Sequence, residues 1–250
     1  MSLVLSEARD GGVALLTLDR PRANAFSPEL VHDLSAAIGD HAGARAIVLA
    51  SSQKIFSGGW DLPTIAPFDR AGMARFLSDY TALVRQVFAH GAPVIAALGG
   101  HAIAGGLILA AAADERIAAE GETTLGLSEV VLGVPLPRPL FEVFRFLLGD
   151  RGAERLAAAG ENLPASRAAG IGLVDEIVPA ADLLPRALDR ARVLGERPRE
   201  AHAEIKRRSR EEALSRFDDS AEGDPFLDVW FAPGARARVA ALVEKLTKKR

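Results

Sequence analysis

Three apolar runs dominate the first hundred residues. They are Val13–Asp19, Ala46–Ala50 within Arg45–Ser51, and Pro93–Leu98. Short unbroken runs of this kind predict strands covered on both faces. Between them the apolar spacing changes to that of a helix. Leu30, Val31, Leu34 and Ile38 form one face, behind Ser27 as N-cap and Pro28 at the first helical position. Phe76, Tyr80, Leu83, Val84 and Val87 form the inner face of a longer helix over Ala71–His90. Gly91, Ala92 and Pro93 end it.

Residues 91–113 carry no formal charge, which is long enough for a membrane span. Pro93, the glycine pairs Gly99–Gly100 and Gly105–Gly106, and His101 interrupt the run, and Asp114 and Glu115 close it. It reads as buried strand, turn and buried helix, the helix starting at Gly105–Gly106 and continuing through Leu107–Ala113. The first N–H groups of a helix have no internal partner and lie at the positive end of its dipole. Glycine there lets a ligand approach the backbone, so developing negative charge can be held. Glycine pairs at a helix start also serve tight packing alone.

Further on, Arg116–Ala119 predicts a strand, and residues 123–137 predict a short strand, a turn and a helical segment around Glu129. Phe141–Leu148 and Ala153–Ala159 are helical, Ser166 caps a short helix before Gly170, and Gly172–Val178 is the last strand. From about Ala180 the pattern is helical, with breaks at Pro198 and Asp224–Pro225. Strand–helix units followed by helices predict an α/β core, 1–180, with a helical region, 181–250.

Composition narrows the chemistry. The 250 residues include no cysteine, which removes disulfides, zinc thiolates and thiol nucleophiles. The histidines His32, His41, His90, His101 and His202 show no metal spacing, so no metal is expected. A net charge of −3 gives no whole-chain case for nucleic acid or an anionic membrane as partner. The start, MSLVLSEARDGG, lacks the form of a signal peptide, and a cytoplasmic protein is expected. No GxGxxG, GxxxxGK[ST] or GxSxG motif is present.

Five stretches in order resemble the crotonase superfamily of enoyl-CoA hydratases and isomerases. They are DRPRANAFS at 19–27, IFSGGWDL at 55–62, PVIAALGGHAIAGGLILAAAADERI at 93–117, LGLSEVVLGV at 125–134, and GAERLAAAGENLPASRAAGIGLVDEIVP at 152–179. The resemblance implies a spiral of ββα units with a C-terminal helical trimerisation region. It implies an acyl-CoA thioester as substrate, coenzyme A being part of that substrate and no separate cofactor being needed. It implies a homotrimer or a hexamer. The oxyanion hole would be the backbone N–H groups of Trp60 and Gly105. Position 60 is more often small in the family, so a tryptophan reshapes the adjoining pocket. Arg22, Ala23, Ala25, Ser57 and Gly58 would line the path of the CoA moiety, and Ile108 the acyl site.

The resemblance also bears on the reaction. Hydratases of the family use two glutamates around one water. The first aligns with Ile108 and only the second, Glu129, is present. Isoleucine moves no proton, so a carboxylate pair is not available for water. One glutamate beside an oxyanion hole suits an isomerase that shifts the double bond of a 3-enoyl-CoA to the 2-position, and the pattern resembles the mitochondrial-type Δ3,Δ2-enoyl-CoA isomerases. Other readings stay open: a hydratase that lost one carboxylate, a decarboxylase, a thioester hydrolase, or a silent acyl-CoA-binding subunit. Glu129 also suits a helix start with no chemistry. His101 touches substrate or is structural. Asp61 and Asp114 read as hydrogen-bonding carboxylates, and Glu122 as exposed. Phe226, Leu227, Val229, Trp230 and Phe231 would form an apolar patch to be covered by a neighbouring subunit.

Overall fold

The computed structural model describes residues 2–218 and 224–248. Its strands are β1 (Val4–Arg9), β2 (Val13–Leu18), β3 (Ala46–Ser51), β4 (Ile55–Ser57), β5 (Val94–Leu98), β6 (His101–Ile103), β7 (Glu115–Ala119), β8 (Thr124–Gly126), β9 (Asn162–Pro164) and β10 (Glu176–Val178). Its helices are α1 (Pro28–Asp40), α2 (Leu62–Ile65), α3 (Arg70–Phe88), α4 (Gly105–Ala112), α5 (Glu129–Leu132), α6 (Arg138–Ala159), α7 (Ala165–Gly170), α8 (Leu183–Gly195), α9 (Arg199–Asp218), α10 (Phe226–Trp230) and α11 (Pro233–Lys248). The strands build two sheets, in the orders β1-β2-β3-β5-β7-β10 and β4-β6-β8-β9. The pairs β3/β4, β5/β6 and β7/β8 each put one strand into each sheet, and helices carry the chain to the next pair. This is the spiral of ββα units.

The apolar runs of β2, β3 and β5 are buried because both faces of the large sheet are covered. Alternate side chains face opposite ways. Leu16, Leu18, Ile47 and Leu49 join the main core, with α1, α3 and α4. Val13, Leu15, Ala46 and Val48 face α8, through Leu183, Ala187 and Ala191. The α/β body therefore takes in α8, beyond residue 180. Ser27 caps α1 as expected, its hydroxyl accepting from Leu30 N–H at 3.4 Å.

Several expectations are corrected. Ser166 does not cap a helix: α7 begins at Ala165 behind Pro164, without a side-chain cap. Of Gly172–Val178 only Glu176–Val178 pairs with β7, and the Leu173 carbonyl accepts from Arg116 Nε at 3.0 Å instead. Strands β6 and β9, three residues each, and β1, with only Val4 buried, leave no periodic trace in the sequence. The C-terminal apolar patch is not free. Phe226 and Trp230 are buried in this chain's own core against Trp60, with ring centroids at 5.8 and 6.5 Å. That patch gives no reason for a trimer.

A buried charge cluster ties α9 to the sheet. Asp114 Oδ2 accepts from Val94 N–H and Lys206 Nζ, both at 2.7 Å, and Oδ1 pairs with Arg210 Nη2 at 2.9 Å. Arg210 also lies over the Phe88 ring at 4.3 Å. Burial pulls the Lys206 ammonium down to about 8, with Asp114 opposing the fall. Removing the anion leaves two buried cations unpaired. Asp114→Ala is expected to cost about 3–5 kcal/mol in urea unfolding at neutral pH. Asp114→Asn, which keeps an acceptor for Val94 N–H, is expected to lose less.

Candidate active site

Strands β4 and β6 run parallel, so the chain leaves both at the same edge of the small sheet. After β4 come Gly58, Gly59 and Trp60. Phe26 N–H donates to the Gly59 carbonyl at 2.7 Å, and Asp61 N–H donates to the Phe26 carbonyl at 2.9 Å. Residues 59 and 61 thus bond to Phe26, and the Trp60 N–H, directed to the other side, finds no acceptor among the described residues. After β6, Gly105 opens α4, and its N–H is one of the helix's orphan donors.

The backbone at this corner is forced. Ala104 has φ 49° and ψ −123°, a conformation that glycine adopts freely and alanine only at a cost. Bonds on both sides hold it: its N–H donates to the Gly126 carbonyl at 2.8 Å and its carbonyl accepts from Ile108 N–H at 3.0 Å. The corner also brings α4 onto β4. A Cβ on Gly106 would collide with the Ser57 carbonyl, and one on Gly105 would lie 2.8 Å from Trp60 Cδ1 and 3.2 Å from the Tyr80 hydroxyl oxygen. Only glycine permits this approach.

The loop before α1 is stapled to the same corner. Arg22, Ala23 and Asn24 all have positive φ, at 68°, 63° and 47°. Asn24 is buried and donates to Ser51 Oγ at 2.8 Å and the Phe56 carbonyl at 3.2 Å. Ser57 Oγ donates to the Asn24 carbonyl at 2.8 Å, and Gly58 N–H to the Ala23 carbonyl at 2.9 Å. Arg20 pairs with Asp61, which also accepts from Thr64 Oγ1 at 2.7 Å. Arg22 and Gly58 are exposed beside this staple, Ala23 and Ala25 are half-buried, and Ser57 is buried.

Glu129 begins α5. The residue is half-buried, but its Oε2 is out of reach of solvent and has no hydrogen-bond partner among the described residues. Burial raises the carboxyl to about 7, against the pull of the Glu129 and Ser128 backbone N–H groups. It faces a cavity of about 330 Å³ lined by Leu127, Val134, Leu136, Phe141 and Ala157. Glu154, a second carboxylate on the lining, is largely exposed and paired with Arg151 at 3.1 Å. Ile108 is buried in the main core one turn into α4.

Tyr80 joins the two halves of the site, a role that its place on the inner face of α3 does not announce. Its hydroxyl donates to the Gly105 carbonyl. Burial, and next the charge of Glu129, raise the phenol well above its usual range, so it stays protonated. Asn24 was likewise missed; a small polar residue that tolerates positive φ is its only signal. His101 links β6 to β8: its Nδ1 lies 2.8 Å from Thr124 Oγ1 and accepts from Thr124 N–H at 3.3 Å. Glu122 is exposed. No helix among the described residues is long and apolar enough to cross a membrane.

A family model described as enoyl-CoA hydratase/isomerase matches residues 8–223. The chain belongs to the enoyl-CoA hydratase/isomerase family. A Mycobacterium avium protein named "probable enoyl-CoA hydratase" is 34% identical over 215 residues, covering 82% of this chain and 81% of that one. Mitochondrial enoyl-CoA delta isomerase 1 of Rattus norvegicus is 29% identical over 182 residues, or 71% and 63% of the two chains. The crystal structure of human mitochondrial Δ3-Δ2-enoyl-CoA isomerase superposes with a TM-score of 0.93 at 25% identity, over 99% of each chain.

The Glu129 environment sets a stability signature. Between about 4.5, where the unfolded carboxyl ionises, and about 7, the folded protein holds a proton that the unfolded chain releases. Stability therefore falls as pH rises through that window, by on the order of 3 kcal/mol above it. Glu129→Gln lacks this loss. The variant is expected to melt above the wild type at pH 8, with the advantage shrinking toward pH 4.5, as read by thermal unfolding across the range.

Proposed function

We propose that the protein is an isomerase that converts a 3-enoyl-CoA to the 2-enoyl-CoA. The observation that carries this is the single buried, unpartnered carboxylate of Glu129 at an apolar cavity, with Ile108 where the family's hydratases place their first glutamate. The C2 proton of a 3-enoyl thioester is acidified by the carbonyl and by the double bond. Glu129 takes that proton, and the electron pair left at C2 delocalises onto the thioester oxygen as a dienolate. The Trp60 and Gly105 N–H groups hold that oxygen. The protonated Glu129 then gives the proton to C4, the double bond settles between C2 and C3, and the carboxylate is restored.

The environment suits each step. A carboxyl raised to about 7 is ionised enough to accept a proton near neutrality and acidic enough, once protonated, to return it. The apolar lining of the cavity at Glu129 keeps water from the base. Names among the relatives include hydratases as well as isomerases. The missing carboxylate at position 108 favours the isomerase, since hydration needs a second group to position and deprotonate water. Coenzyme A enters as part of the substrate, held along the 22–25 and 57–60 segments. A homotrimer or a hexamer belongs to the same proposal.

Glu129→Gln is expected to lower turnover of a 3-enoyl-CoA by about 10²–10⁴-fold while leaving CoA-ester binding nearly unchanged. In the wild type kcat/KM should rise with pH and level off above about 7, where the free base is ionised. A variant that keeps half the wild-type rate would remove Glu129 from its role.

The wild type is expected to hydrate crotonyl-CoA well below the ~1–10³ per second usual for enzymes. Ile108→Glu is the change expected to raise hydration, by a small amount, because the new carboxylate replaces a buried core side chain and loses stability by its desolvation. Steady-state hydration assays on both proteins check this. A fast wild type would overturn the division drawn from Ile108.

A further inference from the structure

Four buried side-chain polar atoms among the described residues lack a hydrogen-bond partner: Trp60 Nε1, Glu129 Oε2, His202 Nε2 and Trp230 Nε1. Leaving a buried donor unmade costs about 1–3 kcal/mol, so such groups are rare in native proteins and call for an explanation. Glu129 Oε2 has one in the base role above. Trp60 Nε1 belongs to the same site. The backbone of residue 60 is one oxyanion donor, and its indole edge lies against the other: Nε1 is 3.0 Å from the point where a Cβ of Gly105 would be.

The ring is not free to turn away. Phe76, Tyr80, Phe226 and Trp230 surround it edge-on, with centroids at 5.3 to 6.5 Å. The other polar groups nearby do not take its proton. The Tyr80 hydroxyl is engaged with the Gly105 carbonyl and with Leu109 of α4. The hydrogen bonds that act on the Glu129 carboxyl come from backbone N–H groups, and none comes from Trp60. A fixed, dry, unspent N–H packed against Gly105 is suited to an acceptor that arrives with the substrate.

We propose that the Trp60 indole Nε1–H is a third donor of the oxyanion hole, bonding the thioester oxygen beside the Trp60 and Gly105 backbone N–H groups. The inference rests on the acyl-CoA reading of the site given above. It explains why a large side chain with a polar edge stands where a small residue would leave the backbone donor equally accessible. One residue then supplies both a main-chain and a side-chain donor. A donor that is already placed and desolvated gives its full effect when charge develops on the oxygen.

The chain has two tryptophans, Trp60 and Trp230, so indole-¹⁵N-labelled protein gives one probe and one internal control. Titration of the wild type with butyryl-CoA, a saturated thioester that is bound without turnover, is expected to move the Trp60 indole proton downfield and to leave Trp230 nearly in place. Trp60→Phe keeps an aromatic ring and the backbone N–H and loses the indole donor together with the pyrrole part of the ring, so the titration of the wild type separates the donor from packing. Its kcat on 3-hexenoyl-CoA is expected to fall about tenfold, less than the ~10²–10³ seen for a principal donor, with KM changed less than threefold. A Trp60 signal that stays still, or that moves no more than that of Trp230, overturns the proposal. So does a Phe variant that keeps more than half of kcat. If the wild type does not isomerise 3-hexenoyl-CoA, the isomerase reading fails while the indole titration still decides the donor. If Trp60→Phe does not fold, the titration of the wild type decides alone.

Discussion

The site depends on one close approach, that of the first turn of α4 to the end of β4. Gly105 and Gly106 press on Trp60 and Ser57 at distances that a methyl group would forbid. Ala104 holds a backbone conformation that costs on the order of 1–3 kcal/mol. That strain persists because Gly126 fixes its N–H and Ile108 fixes its carbonyl. It leaves two N–H groups from segments 45 residues apart, Trp60 and Gly105, without acceptors among the described residues. The stapled loop at Asn24 and the Tyr80 hydroxyl brace the same corner from either side. The rest of the large sheet and its helices provide a rigid frame on which that corner can be held.

The second element is charge placed where it is costly. A carboxylate with one buried, unbonded oxygen is destabilising as an anion, and the protein lowers that cost only through two backbone N–H groups. The cluster around Asp114 solves the opposite problem. There two buried cations and one anion satisfy one another, and the product is a tie between α9 and the sheet. Glu129 has no cation, so its proton affinity stays near neutrality. The difference between these two carboxylates is one of partners: Asp114 is held by Lys206 and Arg210, and one oxygen of Glu129 is held by nothing among the described residues.

The parts legible in the sequence were those set by local chemistry. The Ser27–Pro28 cap, the buried runs of β2, β3 and β5, and the helix beginning at Gly105 all follow from neighbouring residues. The family motifs carried the rest of the corner. What stayed hidden depends on distant contacts. β6 and β9 are too short for a pattern, and Ser166 looks like a cap but follows a proline that already starts the helix. Tyr80 reads as one more apolar position on α3, because only the fold shows its hydroxyl reaching Gly105, 25 residues on. Asn24 reads as a turn residue until its bonds to Ser51 and Phe56 appear.

The C-terminal aromatics were the most misleading stretch, and the reason bears on the site. Five apolar residues among the six at 226–231 resemble a contact surface when nothing in the sequence can cover them. In the fold Trp60 covers two of them, Phe226 and Trp230, and they in turn wall in Trp60. A small residue at position 60 would leave that space open and the α10 rings without their partner. The large side chain at 60 and the apolar tail therefore explain one another. The wall beside Trp60 is completed by the last quarter of the same chain. α10 thus packs against the Trp60 ring from one side, while the bonds of Gly59 and Asp61 to Phe26 hold the backbone at residue 60 from the other.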